Sequence, residues 1–96
     1  MRTYYIYILS SGTKHLYVGM TSDLAKRVGQ HRAGLTRSHT TRYAITSLVY
    51  YEETGSAEAA TSRERQLKGW RRAKKLGLVD GFNPEWQDLS SELLTG

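Results

Sequence analysis

The chain has 96 residues, enough for one domain with a small core but not for two. It contains no cysteine, which excludes disulfides and thiolate metal sites. No apolar run is long enough to span a membrane, and the N-terminus lacks a signal-peptide pattern. The sequence therefore predicts a soluble, cytoplasmic protein, with residues 1–96 forming a single domain.

The net charge of +5 is concentrated in two blocks. Residues up to Arg42 hold seven lysines and arginines against one acid, and residues 63–75 hold seven more against one acid. The last nineteen residues carry four acids and no base. Two basic blocks in a small domain favour a polyanionic partner such as nucleic acid, although a solvated helix face would show the same pattern.

The first two strands are predicted to form a hairpin. Thr3 to Leu9 is rich in β-branched and aromatic residues, residues 10–14 supply a turn, and His15 to Gly19 returns as the second strand. Side chains alternate along a strand, so a register that pairs the apolar faces places Tyr7 and Tyr17 together on the opposite face.

The run Thr21-Ser22-Asp23 offers N-cap residues, and a helix is predicted from Asp23 to about Ala33, ended by Gly34. The spacing i, i+4, i+7 puts His31 on one stripe with two apolar residues, and Arg27 lies one turn before it.

The second half is predicted to contain a basic loop, a third strand, two helices and a last helical turn. In chain order these are Leu35 to Tyr43, Ile45 to Glu53, Ala57 to Lys68, Arg71 to about Leu78, and Ser91 to Leu94.

The order β-β-α-β-α-α predicts an α+β fold, in which helices flank a small three-stranded antiparallel sheet. The expected core contains the apolar residues that face inward in these elements: Ile6, Ile8, Leu16, Val18, Leu24, Val28, Leu48, Tyr50, Leu67, Trp70 and Leu76.

Glu64 is an acid within a basic helix, on the face shared with Ala60 and Leu67. It could form an i, i+4 salt bridge with Lys68, which contributes a few tenths of a kcal/mol. It could instead be a ligand of a hard cation such as Mg²⁺, which commonly binds one or two carboxylates together with water and substrate phosphate. The sequence alone leaves both open.

Arg27 and His31 also have two interpretations. Singly, each is typical of a solvated or core helix residue. Together, one turn apart and beside a tyrosine-bearing hairpin, they could bind a phosphate and move a proton. Tyr7 and Tyr17 could likewise be packing residues or part of such a site.

With these residues the chain resembles the GIY-YIG nuclease domain, in particular the small stand-alone bacterial type similar to the incision domain of the excision-repair endonuclease. The tripeptide Tyr5-Ile6-Tyr7 stands at the GIY position and Tyr17-Val18-Gly19 at the YIG position. Further residues match by spacing or segment: Arg27 and His31 in the first helix, Glu64 as the metal-binding glutamate, and Asn83 as the late asparagine.

Some positions depart from the family's pattern. Tyr5 replaces the first glycine, and Met20 stands where some relatives carry a lysine. His39 is either an accessory active-site group, as in some homing-type relatives, or a loop residue. By resemblance, Asn83 would support a loop or the ligand shell.

The resemblance implies one-metal hydrolysis of a DNA phosphodiester, with Glu64 holding Mg²⁺ or Mn²⁺. Tyr7 or Tyr17 would activate the attacking water, Arg27 would stabilise the phosphate, and His31 would position or accept the proton. It also implies a role in DNA repair or recombination.

DNA, single-stranded or branched, is the expected partner, because no second domain is available to hold a long duplex. The expected nucleic-acid-binding residues are Lys26, Arg37, His39, Arg42, Arg63, Lys68 and Arg71, and the candidates for base stacking are Tyr43, Tyr51, Trp70 and Trp86. The alternative is a non-catalytic nucleic-acid-binding module that retains the fold.

Overall fold

The computed structural model describes residues 2–34 and 44–94. Three strands and four helices are formed in this part of the chain. They are β1 (Tyr4–Ser10), β2 (Leu16–Thr21), α1 (Leu24–Arg32), β3 (Ser47–Thr54), α2 (Ala57–Gly69), α3 (Arg72–Phe82) and α4 (Ser90–Leu94). The predicted α+β order is confirmed, and each strand begins and ends within two residues of its predicted bounds.

The three strands form one antiparallel sheet in the order β2-β1-β3. In the hairpin, Tyr7 pairs with Gly19 and Leu9 with Tyr17, without a register shift. The pairing of β1 with β3 shifts between Ile8 and Leu9, and this irregularity gives Val49 no partner in β1.

Both faces of the sheet are covered, and each has its own apolar cluster. One cluster contains Ile6, Ile8, Val18 and Val49 together with residues of α2 and α3. The other contains Tyr7, Leu9, Ile45 and Leu48 together with residues of α1. The alternation along β1 predicted from the sequence is therefore confirmed, with Ile6 and Ile8 on one face and Tyr5, Tyr7 and Leu9 on the other.

The ends of α1 follow from local chemistry. The Asp23 side chain accepts a hydrogen bond from the backbone N–H of Lys26, which caps the first turn. Gly34 has φ +71° and its N–H donates to the carbonyl of His31, so a glycine ends the helix as predicted. These caps fix the register of the helix and therefore the positions of Arg27 and His31.

The helix α3 runs one turn further than the predicted end at Leu78. It ends at Phe82, so Gly81 lies within the helix and does not terminate it. Its fully buried residue is Val79, whereas Leu76, which we expected in the core, is only partly buried. That expectation is corrected: the longer helix packs through its second half.

Most of the other residues predicted for the core are buried. The exceptions are Leu16 and Trp70, which are partly buried and pack against the first cluster rather than lying within it. The sequence prediction omitted several residues that are fully buried, namely Tyr7, Leu9, Ile45, Val49, Ala60 and Val79.

Among the described residues, no helix is long and apolar enough to cross a membrane.

Candidate active site

Two tyrosines from adjacent strands lie on the same face of the sheet. The ring centroids of Tyr7 and Tyr17 are 6.2 Å apart. Tyr7 is only 1% exposed, whereas Tyr17 is half-buried. The prediction from side-chain alternation that Tyr7 and Tyr17 share one face is therefore confirmed. The phenol of Tyr7 is enclosed, and that of Tyr17 is more accessible.

His31 brings α1 onto this tyrosine pair. Its Nε2 atom lies 3.3 Å from the hydroxyl oxygen of Tyr7, within hydrogen-bond distance, and its ring centroid lies 5.0 Å from that of Tyr17. Burial, and then the positive charge of Arg27, lower the pKa of His31. The imidazole is therefore mainly neutral near pH 7 and able to accept a proton.

Gly19 makes room for the buried tyrosine. A Cβ atom built at this position would lie 2.4 Å from the hydroxyl oxygen of Tyr7 and 2.5 Å from its Cζ atom. Any larger residue at position 19 would therefore displace the Tyr7 ring. The YIG glycine of the sequence is explained here by close approach and not by a turn.

Arg27 and Glu64 act electrostatically on the same hydroxyl. Burial raises the pKa of Tyr7 well above its usual range, and interactions with Tyr17 and Glu64 raise it further, while the charge of Arg27 lowers it. Arg27 and Glu64 are thus within electrostatic reach of Tyr7, one from α1 and the other from α2. The structure brings together five of the six residues predicted to be catalytic.

Glu64 lies on the side of α2 that faces β2. The neighbouring residue Thr61 contacts Met20 of that strand, with 3.7 Å between its Oγ1 atom and the Sδ atom. Glu64 is 22% exposed, and its Oε2 atom lies 3.4 Å from Nζ of Lys68. The salt bridge that the sequence allowed is therefore present.

The donor set suits a cation that takes few protein ligands. Within residues 2–34 and 44–94, no group of three or more His, Cys, Asp or Glu side chains could hold a metal ion. Glu64 is a single, partly accessible carboxylate, which fits the Mg²⁺ preference for one or two carboxylates with water and phosphate. It does not fit a zinc site, which needs three or four protein ligands.

Asn83 lies apart from this group, against β3. Its side-chain amide donates to the carbonyls of Val49, at 3.1 Å, and Gln87, at 2.8 Å. Its oxygen accepts from the N–H of Gln87 at 3.1 Å. Of the two roles predicted for Asn83, these contacts fit support of a loop.

The predicted DNA-binding residues occupy different surroundings. Lys26 and Arg27 line a polar cleft of about 310 Å³ at the start of α1. Lys68 is exposed beside Glu64, and Arg71 is exposed just before α3. The predicted contacts Arg37, His39 and Arg42, and the stacking candidate Tyr43, lie outside the described residues.

Arg63 is engaged within the protein. Its Nε and Nη2 atoms donate to the Glu52 carboxylate at 2.9–3.0 Å, and its Nη1 donates to Gln66 at 2.7 Å. Its guanidinium also lies over the Trp70 ring, 5.2 Å from the centroid. Arg63 therefore has a structural role, and its contact with DNA stays a prediction.

Sequence reasoning missed the polar residues beside Arg27. Thr21, Ser22 and Gln30 line the same cleft as Lys26. The sequence contained a signal for this cleft, because the run Thr21-Ser22-Asp23 places polar side chains between β2 and the start of α1. We interpreted that run only as the start of the helix.

The chain is similar to known proteins in both sequence and fold. Residues 3–76 match the model of the GIY-YIG catalytic domain. A UPF0213 protein of Streptococcus pyogenes is 41% identical over 76 residues, which cover 78% of this chain and 83% of the relative. One of Natronomonas pharaonis is 38% identical over 76 residues, covering 79% and 89%.

A solved structure gives the same result for the fold. The solution NMR structure of a UPF0213 protein from Bacillus halodurans has a TM-score of 0.58 and 28% sequence identity, and the alignment covers 90% of this chain and 92% of that one. The region matched to the family model contains both tyrosines, Arg27, His31 and Glu64, whereas Asn83 follows it. The chain belongs to the GIY-YIG family.

Proposed function

We propose that this protein is a divalent-metal-dependent endonuclease that hydrolyses phosphodiester bonds in DNA. The observation that carries the proposal is the convergence of Tyr7, Tyr17 and His31 at one point, within electrostatic reach of Arg27 and Glu64. These side chains supply a proton acceptor, a cation and a carboxylate, which are the groups that phosphodiester hydrolysis requires. Membership of a family of nuclease domains supports the same reaction.

The two tyrosines have different roles in this proposal. Tyr7 is buried and its pKa is raised, so it keeps its proton and holds His31 by the contact between their polar atoms. Tyr17 is only partly buried, so it can reach a water molecule next to the substrate. Tyr17 is therefore the group that takes the proton from the attacking water.

Arg27 and His31 assist from α1. The guanidinium of Arg27 donates hydrogen bonds to the phosphate as negative charge develops on it. The neutral imidazole of His31, beside both phenols, accepts the phenolic proton of Tyr17 as the Tyr17 oxygen takes a proton from the attacking water. Lowering of the pKa of His31 by burial and by Arg27 keeps the imidazole free of a proton before the reaction.

Glu64 would hold one Mg²⁺ or Mn²⁺ ion, which would offset charge on the phosphate and the leaving oxygen. Its present partner, Lys68, has a side chain that is 54% exposed, so the ammonium group can move away at small cost. The lysine would then contact the DNA backbone.

Single-stranded or branched DNA is the proposed substrate. Lys26, Lys68 and Arg71 are exposed and would contact phosphates near the site, as would Arg37, His39 and Arg42 if the prediction from the sequence holds. A domain of this size has little surface on which to hold a long duplex.

The test is a cleavage assay on single-stranded, duplex and forked oligonucleotides of matched sequence, with Mg²⁺, Mn²⁺ or EDTA. We expect product with either metal ion, most from the forked or single-stranded DNA, and none with EDTA. Lack of cleavage of all three substrates with both ions, in protein that is folded by circular dichroism, would overturn the proposal.

The Glu64–Lys68 ion pair favours one alternative, a nucleic-acid-binding module without hydrolytic activity. A carboxylate neutralised by its own helix has a structural role and needs no metal ion. This alternative predicts salt-sensitive binding of the same oligonucleotides and no nicked product with any divalent ion. The assay above separates the two functions.

A further inference from the structure

A second aromatic and basic feature lies on the sheet face opposite the tyrosines. The Trp86 ring packs against the first apolar cluster and is partly exposed. The ammonium group of Lys14, from the turn between β1 and β2, lies 4.5 Å from the centroid of that ring. In the described part of the chain, no carboxylate forms an ion pair with Lys14.

Both residues have an unusual backbone conformation. Lys14 has φ +63° and Trp86 has φ +54°, a region that residues with side chains rarely adopt and that is a clear outlier for a bulky one. Such conformations persist only where the surroundings impose them, and they are concentrated at ligand sites. Two of them meet here in a single contact.

The surroundings that hold Trp86 can be named. Its N–H donates to the carbonyl of Asn83 at 2.9 Å, and its Nε1 donates to Asp80 at 2.6 Å. The Asn83 side chain is buried and bonds to Gln87 on one side and Val49 on the other. Asn83 therefore acts on this loop and fixes the position of the indole ring.

A cleft of about 150 Å³ opens beside the ring. Its lining includes Lys14 and Trp86, with Ser10, Ser11 and Ser47 from the ends of the strands. The carboxylates near Trp86 already have partners, since Asp80 accepts from the indole and Glu85 accepts from Gln87 at 3.2 Å. An aromatic face, an exposed cation and small polar side chains are the components of a nucleotide site.

We propose that this cleft binds one unpaired nucleotide of the DNA substrate, with the base stacked on Trp86 and the phosphate held by Lys14. Stacking of a base on an aromatic side chain is stronger than an exposed cation–π contact, so the base can displace the ammonium group. The displaced ammonium then pairs with the phosphate of the same nucleotide. Asn83 is a positioning residue in this site, because it acts through Trp86.

This inference rests on the proposed nuclease function and specifies its substrate. Lys14 is three residues from Tyr17, so their Cα atoms are at most about 10 Å apart. A base in a duplex has no free face for Trp86, so we expect unpaired nucleotides close to the bond that is cleaved.

The experiment measures binding with EDTA present, which separates binding from cleavage. Fluorescence anisotropy compares a blunt duplex with the same duplex carrying a four-nucleotide single-stranded tail. We expect Trp86→Leu to weaken binding of the tailed DNA about tenfold and to leave the blunt duplex unchanged. Trp86→Phe retains an aromatic ring and should recover most of the loss.

Lysine variants test the phosphate contact. Lys14→Gln should weaken binding of the tailed DNA and lower the slope of log affinity against log salt concentration by about 0.7 to 1. Lys74→Gln is the matched control, since Lys74 lies 4.2 Å from the centroid of the Trp70 ring and loses the same charge. Lys74→Gln should change the affinity for tailed DNA and the affinity for the blunt duplex by the same factor.

A variant that removes the backbone strain at position 14 tests whether a loss of binding reflects a loss of folding. Lys14→Gly removes the ammonium group but suits φ +63°, so its melting temperature should equal or exceed that of the wild type while tailed DNA binds more weakly. Unchanged binding of tailed DNA by folded Trp86→Leu and Lys14→Gly proteins would overturn the site. Equal losses for tailed and blunt DNA would overturn it as well.

These results are separable from those of the proposed function. Cleavage by the wild type with no effect of Trp86→Leu on tailed DNA would reject the cleft and retain the nuclease. Trp86-dependent binding of the tail, without cleavage under any metal ion, would reject the nuclease and retain the cleft.

Discussion

Two neighbouring side chains of α2, Arg63 and Glu64, point towards opposite edges of the sheet, and the charged groups at these two edges have different partners. Arg63 points towards β3, where it meets Glu52. Glu64 points towards β2, where it is within electrostatic reach of Tyr7. One helical step of about 100° produces this separation.

At the β3 edge the protein satisfies its own charges. Glu52 accepts hydrogen bonds from two nitrogens of Arg63 and from the hydroxyl of Tyr50, and the Arg63 guanidinium lies over the Trp70 ring. At the β2 edge the one ion pair of Glu64 in the described residues is with an exposed lysine. The difference indicates a structural carboxylate at one edge and a carboxylate available to a ligand at the other.

The largest expected effect comes from removing the charge of Glu64. If it holds the metal ion, Glu64→Gln should lower the cleavage rate by about 10³-fold or more, because such an ion stabilises the transition state by several kcal/mol. The free energy of unfolding should fall by only about 0.3–0.5 kcal/mol, the typical contribution of an exposed helix pair. Single-turnover cleavage and urea denaturation measure the two quantities.

The matched control is Glu52→Gln, which removes the same charge at the other edge. It should unfold more easily and still cleave DNA at a rate within about tenfold of the wild type. If Glu64→Gln cleaved with metal at the wild-type rate, the two edges would not differ in the way proposed here.

The tyrosines are expected to show the next largest difference. Tyr17→Phe removes the proposed proton acceptor and should slow the chemical step by about 10²-fold or more. Tyr7→Phe removes a hydroxyl that contacts His31 but stays buried, so it should lower the rate less and the stability more. Rapid-quench kinetics at saturating metal compare the two; a greater rate loss in Tyr7→Phe would assign the base to the buried tyrosine.

Much of this arrangement could be predicted from local patterns. Alternation along β1 and β2 placed Tyr7 and Tyr17 on one face. The cap candidates Thr21 to Asp23, together with Gly34, bounded the helix that carries His31. These features depend on neighbours a few residues away, so the sequence holds the information they need. The fold class followed from the order of the elements alone.

Other features depend on contacts between distant parts of the chain. Of the cations on α2, Arg63 rather than Arg65 meets Glu52, because it lies on the side of the helix that faces β3. The contact between Lys14 and Trp86 joins residues 72 positions apart and needs a left-handed conformation at both. No propensity scale favours tryptophan in that region, so this conformation could not be predicted from local patterns.

Gly19 offers a smaller effect that links the β2 edge to stability. Gly19→Ala places a Cβ atom against the buried Tyr7 ring and should lower the free energy of unfolding by about 1–3 kcal/mol. Cleavage should also slow, because the displaced ring would disturb His31. Thermal denaturation should show a decrease of several degrees in melting temperature.

The glycine in α1 provides the matched control. Gly29 has open space around the position of a Cβ atom, so Gly29→Ala should raise stability by up to about 1 kcal/mol through its higher helix propensity. A stabilised Gly19→Ala protein would mean that the Tyr7 ring is not held against position 19.

The smallest expected effect is the pH dependence of the β3 edge, where the Glu52 carboxylate is 25% exposed and therefore partly screened by solvent. Burial alone would raise the pKa of Glu52, but hydrogen bonds from Arg63 and Tyr50 and the charge of Arg63 outweigh it and lower the pKa below 4.5. A carboxyl group whose pKa is lower in the folded state stabilises the protein above its unfolded pKa, and this contribution is lost as the pH falls through the folded value. A partly solvated ion pair of this kind contributes about 1 kcal/mol or less.

Urea denaturation from pH 7 to pH 3 tests this directly. Asp88 also has a lowered pKa, since hydrogen bonds from Ser90 and Leu48 and the charge of Arg32 outweigh its burial, so the wild-type curve alone would combine both groups. The difference between wild type and Glu52→Gln removes the part due to Asp88, which both proteins share. That difference should be constant from pH 7 to about pH 5 and shrink below pH 4.5, because glutamine cannot titrate. A difference that stayed constant down to pH 3 would mean that Glu52 stabilises the fold through packing rather than through its charge, and the two edges of the sheet would then not be distinguished by how their carboxylates are paired.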